Sequence, residues 1–209
     1  MILIEACVDS VAAALAAEAR GADRVELCAD LTVGGVTPSA GTMSVTGERL
    51  AVPMHVLVRP RGGNFILSDD DLEVMRRDIA MARAARAAGV VLGALTSMGE
   101  VDREATARLI GWTRPMSVTF HRAFDAARDA TEALDVLLEL GVDRVLTSGQ
   151  AETAEQGADL IGSLVQRAGT GAVILAGGGI RAHNVVEIVR RAGVREVHSC
   201  DISGFREAL

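Results

Sequence analysis

A glycine that recurs ahead of every second apolar run constrains this chain more than any other feature. It opens Gly21-Ala-Asp-Arg-Val25, Gly89-Val-Val91, Gly141-Val-Asp-Arg-Val145 and Gly193-Val-Arg-Glu-Val197, and the steps from 89 to 141 and from 141 to 193 are both 52 residues. A unit of that length holds two strands and two helices, and four units give eight of each. The strand-like runs are Ile2 to Cys7, Arg24 to Cys28, Met54 to Arg59, Val90 to Ala94, Met116 to His121, Arg144 to Thr147, Ala172 to Ala176 and Glu196 to Ser199. Alternation of short strands with longer helices means parallel pairing through crossovers. A (β/α)8 TIM barrel is the expected closure, as one domain over residues 1–209, with an open doubly wound sheet as the alternative. The barrel is short. Ala29 to Leu50 reads as loop with a weak helix, and only Ser203 to Leu209 remain for an abbreviated last helix.

Helical spacing marks the faces that lie on the sheet: Leu72, Met75, Ile79 and Ala82; Leu134, Leu137 and Leu138; Val185, Ile188, Val189 and Ala192. Ser68 before Asp69, Asp70 and Asp71 reads as a helix cap with acids in the first turn. The methionines lack any Met-x-x-Met clustering and are assigned to packing.

Charge narrows the function. The chain has 21 Lys and Arg against 28 Asp and Glu, a net charge of -7, so no basic field exists to attract nucleic acid or an anionic membrane. Four Phe and one Trp are too few for a base-stacking platform. Apolar runs fall well short of the roughly 20 residues that cross a bilayer. Cys7, Cys28 and Cys200 form an odd set in a chain that opens directly on a strand-like run, so the expected compartment is the reducing cytoplasm.

In a barrel, the carboxyl ends of the strands form the functional mouth. Strand 1 ends Glu5-Ala6-Cys7 and strand 2 ends Glu26-Leu27-Cys28, which puts a carboxylate and a thiol on one face of each. Two soft sulfurs on neighbouring strands suit Cu(I) or another thiophilic ion, and equally suit packing as small hydrophobes. Glu5 and Glu26 need cations, which Arg59 and Arg61 of Arg59-Pro-Arg-Gly-Gly63 are expected to supply. Strand 5 leads into His121, Arg122 and Asp125; His121 is the candidate general acid or base, and Asp125 would orient the ring or the arginine. Ser148 follows strand 6. After strand 7, Gly177, Gly178 and Gly179 run toward a helix expected to begin near Ala182, an arrangement that favours an anion. His198, Ser199 and Cys200 end strand 8 without separable roles. These residues support two functions: copper binding by Cys7 and Cys28, or an enzyme for a small anionic or phosphorylated metabolite. In the enzyme, Arg59, Arg61, Arg122, Ser148 and the glycines would grip the anion. His121 or Glu26 would transfer a proton, and Glu5 and Asp125 would position their neighbours.

The segments Glu5-Ala-Cys7-Val-Asp9-Ser10, Gly21 to Leu31, Gly34-Gly-Val-Thr-Pro-Ser39, Val58 to Gly63, Gly93-Ala-Leu95, Val118 to Asp125, Arg144 to Gln150 and Gly177 to Gly179 together resemble the CutC family, often called copper homeostasis proteins. They cover nearly the whole chain in order. The resemblance implies a TIM barrel, a homo-oligomer, and a Cu(I) site at the positions that are Cys7 and Cys28 here.

Overall fold

The computed structural model describes residues 2–209. Eight parallel strands close into a barrel in chain order: β1 (Leu3–Val8), β2 (Arg24–Leu27), β3 (Met54–Leu57), β4 (Gly89–Leu92), β5 (Ser117–Phe120), β6 (Arg144–Thr147), β7 (Val173–Gly177) and β8 (Glu196–Ser199). Around it run α1 (Val11–Ala19), α2 (Ala40–Arg49), α3 (Asp69–Ala84), α4 (Arg103–Thr113), α5 (Ala130–Leu140), α6 (Ala158–Ala168), α7 (Val185–Ala192) and the four-residue α8 (Phe205–Ala208). The fold is thus a TIM barrel with a short final helix, as expected from the 52-residue step, and not the open doubly wound sheet. None of the described helices is long and apolar enough to cross a membrane.

Period-two alternation sorts the strand side chains into two compartments. Ile4, Ala6, Val8, Val25, Leu27, Val90, Leu92 and Val197 point outward into a continuous core beneath the helices. The helical stripes meet them there: Leu72, Met75, Ile79 and Ala82 of α3 are all buried. Cys7, Cys28, Leu57 and Val91 form a separate small cluster inside the barrel.

Local chemistry sets the helix ends. Ser68 and Asp71 make a reciprocal capping box at the start of α3. The weak helix is α2, capped by Ser39, whose hydroxyl accepts from the Thr42 N–H. Gly47 is needed in α2 because a Cβ there would sit 2.0 Å from the Ala85 carbonyl oxygen beyond α3. Helix α7 begins at Val185 rather than near Ala182, since Asn184 Oδ1 accepts from the Arg181 N–H and inserts a turn between Gly179 and the helix.

Candidate functional site

The barrel interior is charged where most TIM barrels carry layers of branched apolar side chains. Register explains how. Arg24 lies opposite Glu5 and Glu26 opposite Cys7 across β1 and β2, while His198 lies opposite Glu5 across β1 and β8. Arg24 Nε donates to Glu5 Oε2, and Arg24 Nη2 donates to Glu196 at 2.6 Å. Arg144 Nε adds a bond to Glu196 at 3.0 Å. His198 bridges the two interior glutamates, with Nδ1 2.8 Å from Glu5 Oε1 and Nε2 3.5 Å from Glu26 Oε2.

The expected partners of the two carboxylates are therefore corrected. Arg24 and His198 neutralise Glu5 and Glu26, and Arg59 and Arg61 do not. Arg59 spends its guanidinium on the carbonyls of Val33, Gly35 and Gly63. Arg61 turns out of the barrel to Asp71 and the Ile66 carbonyl. Glu5 is also below the mouth, at 1% exposure, because barrel stagger sets it level with the first residue of β2.

Above this network the mouth encloses a cavity of about 500 Å3. Cys7, Glu26, Cys28 and His198 line it together with Arg59, Phe65, His121, Arg122, Gly178, Gly179, Arg181 and Cys200. Of the expected site residues, Glu5, Arg61, Asp125, Ser148 and Gly177 are not on its wall. Asp125 and Ser148 act one step behind it. Asp125 Oδ2 accepts from Arg122 Nε at 2.7 Å and from the Ser148 N–H at 3.1 Å, and Ser148 Oγ accepts from Arg122 Nη2 at 2.8 Å. Asp125 therefore orients the arginine rather than the imidazole. Gly177 is a packing glycine: a Cβ there would meet Leu146 Cδ1 at 2.6 Å.

Burial tunes the titratable groups. Burial would raise Glu5, but the His198 hydrogen bond and the Arg24 charge hold it well below the usual carboxylate range. Burial wins at Glu26, whose pKa is raised with the His198 charge only partly opposing. For His198, burial lowers the pKa, and Glu26 and Glu5 overcome it and lift it to about 9. His121 goes the other way: burial, then the Arg59 charge, press it down to about 3. Its Nδ1 accepts from the Ala123 N–H at 3.1 Å, so the neutral ring carries its proton on Nε2. At neutral pH His121 is a hydrogen-bond donor rather than a proton carrier. Gly93 makes room for it, because a Cβ there would lie 2.5 Å from the ring.

The Cys7 and Cys28 sulfurs are 3.7 Å apart. A thiol contact from Cys200 lowers the Cys7 pKa, but the Cys28 contact, burial and the Glu26 charge outweigh it and push the thiol up. Cys28 is lowered by Cys7, yet burial and Glu26 raise it to about 11. Two thiols this close could together hold a thiophilic ion, which would take them as thiolates. Cys7 Sγ, a Glu26 oxygen and a His198 ring nitrogen all lie within 4.8 Å of one another. The Glu5 bond to Nδ1 fixes that ring, as carboxylates do behind metal-bound imidazoles.

His198, Arg24, Glu196 and Arg181 are the site residues that sequence reasoning did not assign. Alternation offered a signal for three of them, since Arg24 shares a strand face with Glu26, and Glu196 with His198.

A profile of the CutC family matches residues 2–203. The chain is 45% identical over 206 residues to the copper homeostasis protein cutC homolog of Homo sapiens, covering 99% of this chain and 75% of that protein. It is 45% identical over 196 residues to a family protein CutC of Mesorhizobium japonicum, covering 94% and 76% of the two chains. A crystal structure of CutC from Streptococcus agalactiae matches with a TM-score of 0.93 at 35% identity, over 97% of this chain and 100% of that one. Sequence and barrel agree, and the chain belongs to the CutC family.

Proposed function

We propose that this protein serves copper homeostasis in the cytoplasm by binding Cu(I) through Cys7 and Cys28. The observation that carries it is the 3.7 Å sulfur separation at the base of the mouth. Soft thiolates select Cu(I), and the buried, weakly polar surroundings of Leu57 and Val91 favour a compact ion of low charge. All three cysteines are free, which suits a reducing compartment. A homo-oligomer, expected from the family, belongs to the same proposal and is read by light scattering of the metal-free protein.

The test is competition for Cu(I) against a chromophoric chelator under reducing conditions. Cys7→Ser combined with Cys28→Ser should weaken binding by more than the roughly 10–100-fold that outer-shell partners are worth. Unchanged affinity in the double variant removes the proposal.

A further inference from the structure

A copper ion accounts for the sulfur at the base of the mouth and leaves most of the cavity unexplained. About 500 Å3 is the size of a small-molecule site, not of an ion. Two guanidinium groups on its wall also form no ion pair. Arg59 is 8% exposed, forms no ion pair with any described carboxylate, and leaves its buried Nε without a partner. Three of its four remaining N–H groups go to neutral carbonyls, and the Arg61 charge adds to the cost of burying it. Arg181 gives hydrogen bonds to the Ile180 carbonyl and Ser199 Oγ and likewise has no carboxylate in ion-pair reach. Arg122 is different, since Asp125 already neutralises it. Arg59 is buried, and a buried cation without a partner is costly unless something brings the opposite charge, whereas Arg181 is exposed and adds a second positive charge at the rim.

We propose that the cavity binds a small organic phosphate monoester, with Arg59 and Arg181 as the charge partners of the phosphate. Two cations without an ion-pair partner, one buried and one at the rim, match a group that carries a charge of about -1.5 to -2 at neutral pH. Neutral donors complete the grip. His121 Nε2–H has no partner among the described residues. The Gly178 and Gly179 N–H groups are likewise unused, although both carbonyls are taken, by the Ala154 N–H and Asn184 Nδ2. Gly178 must remain a glycine for this, because a Cβ would lie 3.0 Å from Ser148 Cβ and 3.7 Å from Arg122 Cζ, filling the space over that guanidinium. Its φ of 107° excludes other residues as well. Leu31, Leu57, Leu146 and Phe65 give the cavity an apolar side, which an inorganic ion would not use and the carbon portion of an ester would. Phe65 is held there by Arg59, 5.0 Å from its ring, and by His121 at 5.1 Å.

The site goes beyond copper binding and does not depend on it, because the sulfurs and the guanidinium groups are different residues. The experiment is calorimetric titration of the metal-free 209-residue protein with glycerol 3-phosphate, inorganic phosphate and glycerol. Saturable binding of the two phosphates, tighter for the ester, with none for glycerol, is expected. Arg181→Met should weaken it by about tenfold or more, the worth of one charge-assisted hydrogen bond. Arg59→Lys keeps the charge but loses the fork that holds the Gly63 loop, and should weaken binding while the protein remains folded by circular dichroism. Cys7→Ser with Cys28→Ser should abolish Cu(I) competition and leave phosphate binding intact, so that failure of one site is told apart from failure of the other. No saturable phosphate binding in the millimolar range, or binding that survives in both arginine variants, overturns the proposal.

Discussion

Arg24→Met tests whether the charged interior is a balanced network. At neutral pH the interior holds three carboxylates, Glu5, Glu26 and Glu196, against Arg24, Arg144 and the imidazolium of His198. The side chains of Arg24 and Glu5 are 4% and 1% exposed, so removing the guanidinium leaves a carboxylate that water cannot reach. Breaking a buried pair in this way costs about 3–5 kcal/mol. The lower end applies here, because Glu5 retains His198 at 2.8 Å and Glu196 retains Arg144 at 3.0 Å. A loss near 3 kcal/mol lowers the melting temperature by roughly 6–12 °C in a chain of this size. Equilibrium urea unfolding at pH 7 and calorimetry measure both quantities. Adding Glu5→Gln to Arg24→Met restores the charge count and should recover part of the loss. A cost below about 1 kcal/mol, or a double variant less stable than the single one, would refute the charge-balance reasoning.

Two further outcomes follow from the His121 seat. Gly93→Ala should destabilise the protein by roughly 2–4 kcal/mol in the same unfolding assay, since the new methyl group displaces a buried ring and its hydrogen bond to the Ala123 N–H; a variant of full stability means the ring is not seated against β4. The second outcome concerns pH. The folded pKa of about 3 lies below the ordinary 6.5, so the neutral ring stabilises the fold above pH 6.5, and that contribution is lost as pH falls toward 3. Between pH 7 and 5 the loss is about 2 kcal/mol. Glu26, raised in the fold, acts with the opposite sign over part of that window. The readout is therefore the slope of wild type against His121→Asn, which should be flatter by that amount; equal slopes would show that the ring titrates normally.

Most of the fold was legible because it depends on repeat length and apolar periodicity, which are properties of the linear chain. β6 and β8 have the expected ends, and the other strands differ by one or two residues. The depth of each interior side chain was not legible, because it depends on barrel stagger, which no local pattern encodes. Glu5 illustrates this: its face was predictable from alternation, but its level beside Arg24 and His198 was not. The Arg59-Pro60-Arg61 segment shows a second limit. Arg59 continues the inward alternation of His55 and Leu57, whereas Arg61 lies beyond the proline and is drawn away by Asp71 in the α3 capping box. The same acidic turn that caps the helix thus removes one of the two arginines from the mouth.

The division between stability and function can be located along the barrel axis. Below the Cys7 level every buried charge has an opposite charge in contact: Glu5 with Arg24 and His198, and Glu196 with Arg24 and Arg144. Such a network neutralises itself and asks for no ligand. At and above the Cys7 level the accounting changes. The two sulfurs stand 3.7 Å apart, and neither the buried Arg59 nor the exposed Arg181 forms an ion pair. A chain under no demand but folding would fill this space with the branched apolar side chains that serve most barrels, since burying an unpaired guanidinium only costs stability. The buried guanidinium without an ion pair and the paired sulfurs both lie at the mouth that TIM barrels use for ligands, which is why both proposed ligands, a soft cation and an organic phosphate, are assigned to the same cavity.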